Sequence, residues 1–257
     1  MGNVLLAIDV GNTHTVIGVY QDETLTRHWR LVTDASRTAD EYGVLLWNLH
    51  RLSDVAIAAS TAAIVCSVVP PMTTVMEDVC RAVLGTRPLV VGPGVKTGMP
   101  ILYDNPKEVG ADRICNAVAA YERYHQACIV VDFGTATTFD CISRRGEYLG
   151  GVITPGLGIS LDALVTRTAK LPRVEMVKPP KVVGKTTVHA MQAGLIYGYA
   201  SLVDGLVDRI RGEVDADARV LATGGLAGLL TPESRTIETA DEFLTLDGLR
   251  LIHRRNQ

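Results

Sequence analysis

Two short stretches carry a carboxylate, a glycine turn and a run of hydroxyl groups in the same order. The first is Leu6-Ala7-Ile8-Asp9-Val10-Gly11-Asn12-Thr13-His14-Thr15 and the second Ile129-Val130-Val131-Asp132-Phe133-Gly134-Thr135-Ala136-Thr137-Thr138. In each, an apolar run of strand length delivers the aspartate to the start of a turn, and the glycine lets backbone come close to a bound group. Asn12, Thr13 and Thr15 add side-chain donors beside exposed N–H groups, and the second turn adds three hydroxyls. Successive amides in such a turn can surround an anion, so phosphate is the ligand this chemistry suits. A carboxylate repels phosphate, which directs Asp9 towards Mg²⁺ or that ion's water. A plain hairpin with positive φ at Gly and Asn accounts for either copy alone. Two copies favour a pair of hairpins holding one polyphosphate, as phosphoryl transfer is mainly positioning and charge neutralisation.

A third constellation is Tyr103-Asp104-Asn105-Pro106-Lys107-Glu108-Val109-Gly110-Ala111-Asp112-Arg113. Pro106 and Gly110 bracket a turn, and a helix is expected from Ala111. Asp112 can be read as complementing the helix dipole, worth under ~1 kcal/mol, and Arg113 as a surface charge. The functional alternative is an aspartate base beside an arginine anion anchor. Thr223-Gly224-Gly225 follows a short apolar strand and suits either a close backbone approach to a flat ligand or a helix entry. Val183-Gly184-Lys185-Thr186 looks like the end of a phosphate-binding G-x-x-x-x-G-K-[ST] loop, but Pro179 stands where its first glycine belongs and no long strand precedes it.

These stretches need strands and helices to hold them. Asp9 and Asp132 are 132 − 9 = 123 positions apart, close to half of 257 residues, and the same offset aligns Gly11 with Gly134 and Thr15 with Thr138. Each half reads as a hairpin, a third strand (Leu25 to Val32; Tyr148 to Ile153), then helices alternating with strands. In the first half these are a helix near Asp40 to Leu52, a strand Ala62 to Val69, a helix near Met72 to Leu84 and a strand Leu89 to Val91. In the second they are helices near Gly158 to Ala169 and Thr187 to Arg211 and a strand Val220 to Ala222. A helix near Ala111 to His125 joins the halves. Three antiparallel strands followed by alternating helix and strand predict a mixed sheet with helices on its faces, made twice. The boundaries expected are 1–118 and 119–257. Two long irregular loops, Gly92 to Glu108 and Leu171 to Lys185, are of the kind that often carries function.

Composition excludes several classes. A net charge of −3 with scattered basic residues gives no reason to expect nucleic acid or an anionic membrane surface. The one basic cluster, Arg254-Arg255, reads as a solvated tail. No apolar run approaches the ~18 residues of a membrane span, and the N-terminus lacks the basic start of a secretion signal. Cys66, Cys80, Cys115, Cys128 and Cys141 are odd in number and none is in C-x-x-C spacing. A disulfide framework and a zinc site are both poor readings, and buried free thiols are expected.

Asp9-Val10-Gly11-Asn12-Thr13, Gly110-Ala111-Asp112-Arg113, Asp132-Phe133-Gly134-Thr135, Gly150-Gly151-Val152-Ile153-Thr154-Pro155-Gly156 and Leu244-Thr245-Leu246-Asp247-Gly248-Leu249 occur in that order. Together they resemble the type III pantothenate kinases along nearly the whole chain. The resemblance implies an α/β fold of duplicated ribonuclease-H-like domains, as in the sugar kinase, actin and heat-shock chaperone superfamily, with the active site in the cleft between them. It implies transfer of the γ-phosphate of ATP to pantothenate, the first committed step towards coenzyme A. Carried over motif by motif, Asp9, Val10, Gly11, Asn12, Thr13, His14, Thr15, Val16 and Thr135 would contact ATP. Tyr103, Gly110, Ala111, Asp112, Arg113 and Thr187 would contact pantothenate, with Asp112 the proton acceptor. Asp132 would hold a monovalent cation, K⁺ or NH₄⁺, beside the Mg²⁺ that accompanies ATP; residue chemistry alone equally allows Mg²⁺ there. The family implies a homodimer in the bacterial cytoplasm. A non-catalytic regulator on the same fold would have lost the base, whereas Asp112 is present. Many small sugar kinases of the superfamily carry a Cys/His zinc motif that this chain lacks.

The helix expected over Thr187 to Arg211 carries Gly194, Gly198, Ser201 and Gly205 at steps of four, three and four, which places them on one face. Each glycine costs roughly 0.5–1 kcal/mol against Ala in a helix. Either the protein's own sheet or a second copy could approach that face, and the family resemblance favours the second copy.

Overall fold

The computed structural model describes residues 3–52 and 61–257. Positions 1–2 and 53–60 of the expected first domain lie outside the described residues. The first half runs β1 (Val4–Val10), β2 (His14–Gln21), β3 (Thr24–Val32), α1 (Ala39–Arg51), β4 (Ala62–Ser67), α2 (Pro70–Leu84), β5 (Leu89–Val90) and α3 (Ala111–Tyr124). The second runs β6 (Cys128–Phe133), β7 (Ala136–Ile142), β8 (Tyr148–Pro155), α4 (Leu157–Arg167), α5 (Thr187–Glu213), β9 (Arg219–Thr223), α6 (Ala227–Leu230), β10 (Thr239–Ala240) and α7 (Leu244–Arg254).

The strands form two five-stranded sheets of one design, β3-β2-β1-β4-β5 and β8-β7-β6-β9-β10. In each, the first three strands are antiparallel and the last two run parallel to the first. The duplicated mixed sheet with flanking helices is therefore present as expected. Apolar continuity explains why β1 and β6 are central: Leu6, Ile8 and Val10 join one core, and Ile129, Val131 and Phe133 another. Local signals set the helix ends. Thr38 and Glu41 form a reciprocal capping box at α1. Pro70 and Pro71 open α2, two residues earlier than expected, because proline in a first turn gives up no intrahelical bond; Gly85 closes it in the left-handed conformation.

The chain clusters into two compact units, one of 1–98, 104–119 and 245–257, the other of 99–103 and 120–244. The last helix, α7, belongs to the first. Leu246 packs on Gly18, Tyr20 donates to Asp247 Oδ1 (2.8 Å), and Gly248 lies against the Cys115 carbonyl so closely that no side chain would fit. The solvated-tail reading of Arg254-Arg255 does not hold: Arg254 pairs with Glu23 at 2.9 Å and Arg255 donates to the Thr97 carbonyl. All five cysteines are free and buried, as expected.

Candidate active site

In the first unit the β1–β2 turn presents Asn12, Thr13 and His14 to solvent, while Thr15 is buried at its base. Asp9 sits in β1 between Val16 on one side and Cys66 on the other. The Gly11 N–H donates to the His14 carbonyl (3.0 Å), and a Cβ on Gly11 would lie 3.1 Å from that oxygen. Gly11 is there for this closeness; neither it nor Asn12 has a positive φ, so the plain-hairpin rationale fails. Thr33, just past β3, ties the turn down. Its N–H donates to the Thr13 carbonyl (3.0 Å) and its hydroxyl to the Gly11 carbonyl (2.8 Å). With that proton committed, Thr33 Oγ1 accepts from Thr15, 2.9 Å away. Sequence reading did not find Thr33, because its role depends on the β2–β3 pairing that returns the chain to the turn.

The Gly110-to-Arg113 turn opens α3 in the same unit. Asp112 curls back so that its Oδ1 accepts from the Arg113 N–H at 2.7 Å and occupies the space a side chain on Gly110 would need. Gly110 is therefore required by Asp112. Burial raises the Asp112 pKa above its ordinary 3.8, and the Arg113 N–H and charge only partly offset it. Arg113 is 8% exposed, which rules out a plain surface charge. Buried Cys66 has its thiol pushed well up, first by a hydrogen bond with Cys115 and by burial, then by the charges of Asp9 and Asp112. The charges of both carboxylates are thus felt at one thiol, within one unit.

In the second unit Asp132 pairs with Thr138 on β7 and Thr223 on β9. Gly224 has φ +88°, and a Cβ there would lie 2.5 Å from Asp132 Oδ1, so Thr223-Gly224-Gly225 first serves to make room for that carboxylate. Thr135 is exposed, and its carbonyl packs onto Gly156, which caps α4. The two turns differ in length. Val10 pairs with Thr15 but Phe133 pairs with Thr137, and Gly134 closes onto Ala136 two residues on (3.1 Å). Thr15 therefore corresponds to Thr137, both fully buried, and not to Thr138.

Tyr103 belongs to this unit, its ring centroid 6.5 Å from that of Tyr148. Thr187 is the exposed first residue of α5, after the Thr186 cap, and lines an apolar groove of about 880 Å³ between α4 and α5. Val183-Gly184-Lys185-Thr186 is loop leading into that cap, consistent with rejecting it as a phosphate loop. The structure thus joins Asp9 to Val16 with Gly110 to Arg113 in one unit, and holds Tyr103, Asp132, Thr135 and Thr187 in the other.

The Asp132 carboxylate is a hard oxygen donor, compatible with Mg²⁺ or K⁺, and a carboxylate suits NH₄⁺ as well. No three His, Cys, Asp or Glu side chains converge as a metal cage among the described residues.

Comparison with known proteins gives a consistent result. The profile of the type III pantothenate kinase family matches residues 5–209. A type III pantothenate kinase from Geotalea uraniireducens is 57% identical over 254 residues, covering 99% of both chains. Among solved structures, a protein of the Baf transcriptional activator family from Campylobacter jejuni superposes with a TM-score of 0.60 at 18% identity, over 98% of each chain. A polyphosphate/ATP-glucomannokinase from Arthrobacter superposes at 0.52 with 14% identity, again over 98% of each. At such identities these structural likenesses speak for the fold.

Proposed function

The chain belongs to the type III pantothenate kinase family, and from that premise we propose how its residues divide the work. The reaction is the ATP-dependent phosphorylation of pantothenate in coenzyme A biosynthesis.

Asp112 takes the proton of the attacking pantothenate hydroxyl. The observation that carries this is its buried carboxylate with a raised pKa, folded over Gly110 at a helix start. A base works best when its pKa approaches the working pH, and burial moves Asp112 in that direction. The turn of Asp9 to Val16 binds the nucleotide phosphates through exposed amides and the side chains of Asn12, Thr13 and His14. Asp9 would hold the Mg²⁺ that accompanies the nucleotide, or that ion's water, and the ion would lower the charge repulsion at the transferring group. Tyr103, Gly110, Ala111, Arg113 and Thr187 bind pantothenate, with the Arg113 charge directed at its carboxylate. Thr135 contacts ATP, and Asp132 would hold K⁺ or NH₄⁺.

A homodimer through α5 is part of the proposal. Its buried face includes Leu195, Ile196, Val203 and Val207, while Gly194, Gly198, Ser201 and Gly205 are exposed. Among the described residues a Cβ on any of the three glycines would meet nothing within 4 Å, so the described part of the chain's own sheet does not explain them. The cytoplasm is the proposed compartment, a reducing one that suits five free thiols. No described helix is long and apolar enough to cross a membrane.

The test is ADP release with pantothenate, with glucose and with no acceptor, each with and without potassium. Pantothenate-dependent release is expected; equal release with glucose or without acceptor overturns the assignment.

A further inference from the structure

Asp140 is fully buried in the middle of β7, where a carboxylate is costly unless it does something specific. It accepts a hydrogen bond from the Tyr148 hydroxyl at 2.8 Å, and Tyr148 is itself fully buried. A β-bulge brings the two together. Asp140 pairs with Gly151 and Cys141 with Gly150, but Ile142 pairs with Tyr148, leaving Leu149 as the extra residue. Side chains directly opposite in an antiparallel pair share a face, so the bulge moves Tyr148 onto the face of Ile142 and Asp140. Without it, Tyr148 would point away.

What Tyr148 then carries is the segment that ends at Tyr103. Ile101 bridges to Tyr148 in parallel register. The Tyr148 N–H donates to the Pro100 carbonyl (2.9 Å), and the Leu102 N–H donates to the Tyr148 carbonyl (2.8 Å). The two tyrosine rings lie 6.5 Å apart, tilted by 54°, inside the usual range for an aromatic pair. Gly150, at φ +122°, completes the seat: a Cβ there would stand 3.5 Å from the Tyr103 ring. Every one of these residues lies within the second compact unit.

We infer that Asp140 and Tyr148 are positioning residues for pantothenate: the buried carboxylate fixes the Tyr148 ring, and Tyr148 fixes Tyr103 at the substrate. This rests on the reading that Tyr103 contacts pantothenate. A pair serving only the core would support both substrates alike. A pair serving Tyr103 affects pantothenate selectively.

The experiment is steady-state kinetics of the full chain for Tyr148→Phe, Asp140→Ala, Asp140→Asn, the double variant Asp140→Asn/Tyr148→Phe, and Tyr103→Ala, varying pantothenate and ATP separately. Tyr148→Phe keeps the ring and loses one hydrogen bond, so KM for pantothenate should rise roughly 3- to 10-fold, with kcat and KM for ATP unchanged. Asp140→Asn retains an acceptor oxygen and should partly rescue what Asp140→Ala loses. The double variant should be no worse than Tyr148→Phe alone, as expected for partners in one contact. If Tyr103→Ala raises KM for pantothenate but folded Tyr148→Phe and Asp140→Ala do not, the positioning role falls and the Tyr103 reading stands. If Tyr103→Ala leaves that KM unchanged, both fall. A parallel rise in both KM values marks general loosening and overturns the inference.

Discussion

Replacing Asp112 by Asn should move activity and stability in opposite directions. The carboxylate is disfavoured by burial, and the Arg113 N–H and charge do not make up the deficit, since the net shift in pKa is upward. A group with a raised folded-state pKa supports the fold below its unfolded pKa and loses that support as pH rises through the folded value. Ionised Asp112 therefore weighs against the fold, by about 1.4 kcal/mol for each unit of upward shift. Asn removes the charge and keeps an oxygen to accept from the Arg113 N–H, now 2.7 Å away. The variant should melt no lower than the parent at pH 7, and about 2–4 °C higher for each kcal/mol recovered. Its kcat should drop by about 10²–10⁴, the usual loss for a general base. In the parent, kcat/KM should fall towards acid pH as Asp112 becomes protonated, at a pH above that of an ordinary exposed aspartate. The assay is direct quantification of ADP beside a thermal melt of the same preparation. Near-parent turnover in a folded variant removes Asp112 from the base role, and a lower melting temperature refutes the desolvation argument.

Three further outcomes follow from the same geometry. Thr33→Val keeps the shape of Thr33 but removes its hydroxyl bonds to Gly11 and Thr15; KM for ATP should rise roughly 3- to 10-fold and stability fall by about 1 kcal/mol, and an unchanged KM for ATP would separate Thr33 from the phosphate turn. Asp132→Ala should abolish the response of the rate to potassium or ammonium, and full activity of the parent in buffer containing only Tris or sodium would end the cation assignment. Gly198→Leu should give a folded monomer by sedimentation and circular dichroism, because one bulky change acts twice in a two-fold contact; a folded variant as dimeric as the parent excludes Gly198 from the interface.

Much of the fold is legible because its signals are local. Apolar runs interrupted by Asp and Gly mark the two hairpins, and Pro70, Pro71 and Gly85 bound α2 within two residues of expectation. The repeat was legible, but its register was not. A constant offset aligns Thr15 with Thr138, whereas the shorter second turn makes Thr137 the counterpart. Adjacent threonines hide the missing residue, since either fits the pattern. Helix α7 escaped because its motif carries Gly248 mid-helix, which is a helix breaker until the Cys115 carbonyl is seen against it. Thr33 and Asp140 act through strand pairing and a bulge, and neither leaves a mark in local composition.

That first unit is closed by the chain's last thirteen residues, 245–257. Synthesis runs from the N-terminus, and domains ordinarily fold as units in that order. Here the first unit cannot be complete until α7 has been made, after the whole of the second unit. Residues 120–244 are complete while the earlier-made sheet still lacks the helix that covers Gly18 and accepts from Tyr20. A nascent chain halted before residue 245 would therefore leave part of the β1–β2 surface uncovered, a surface for chaperones to shield.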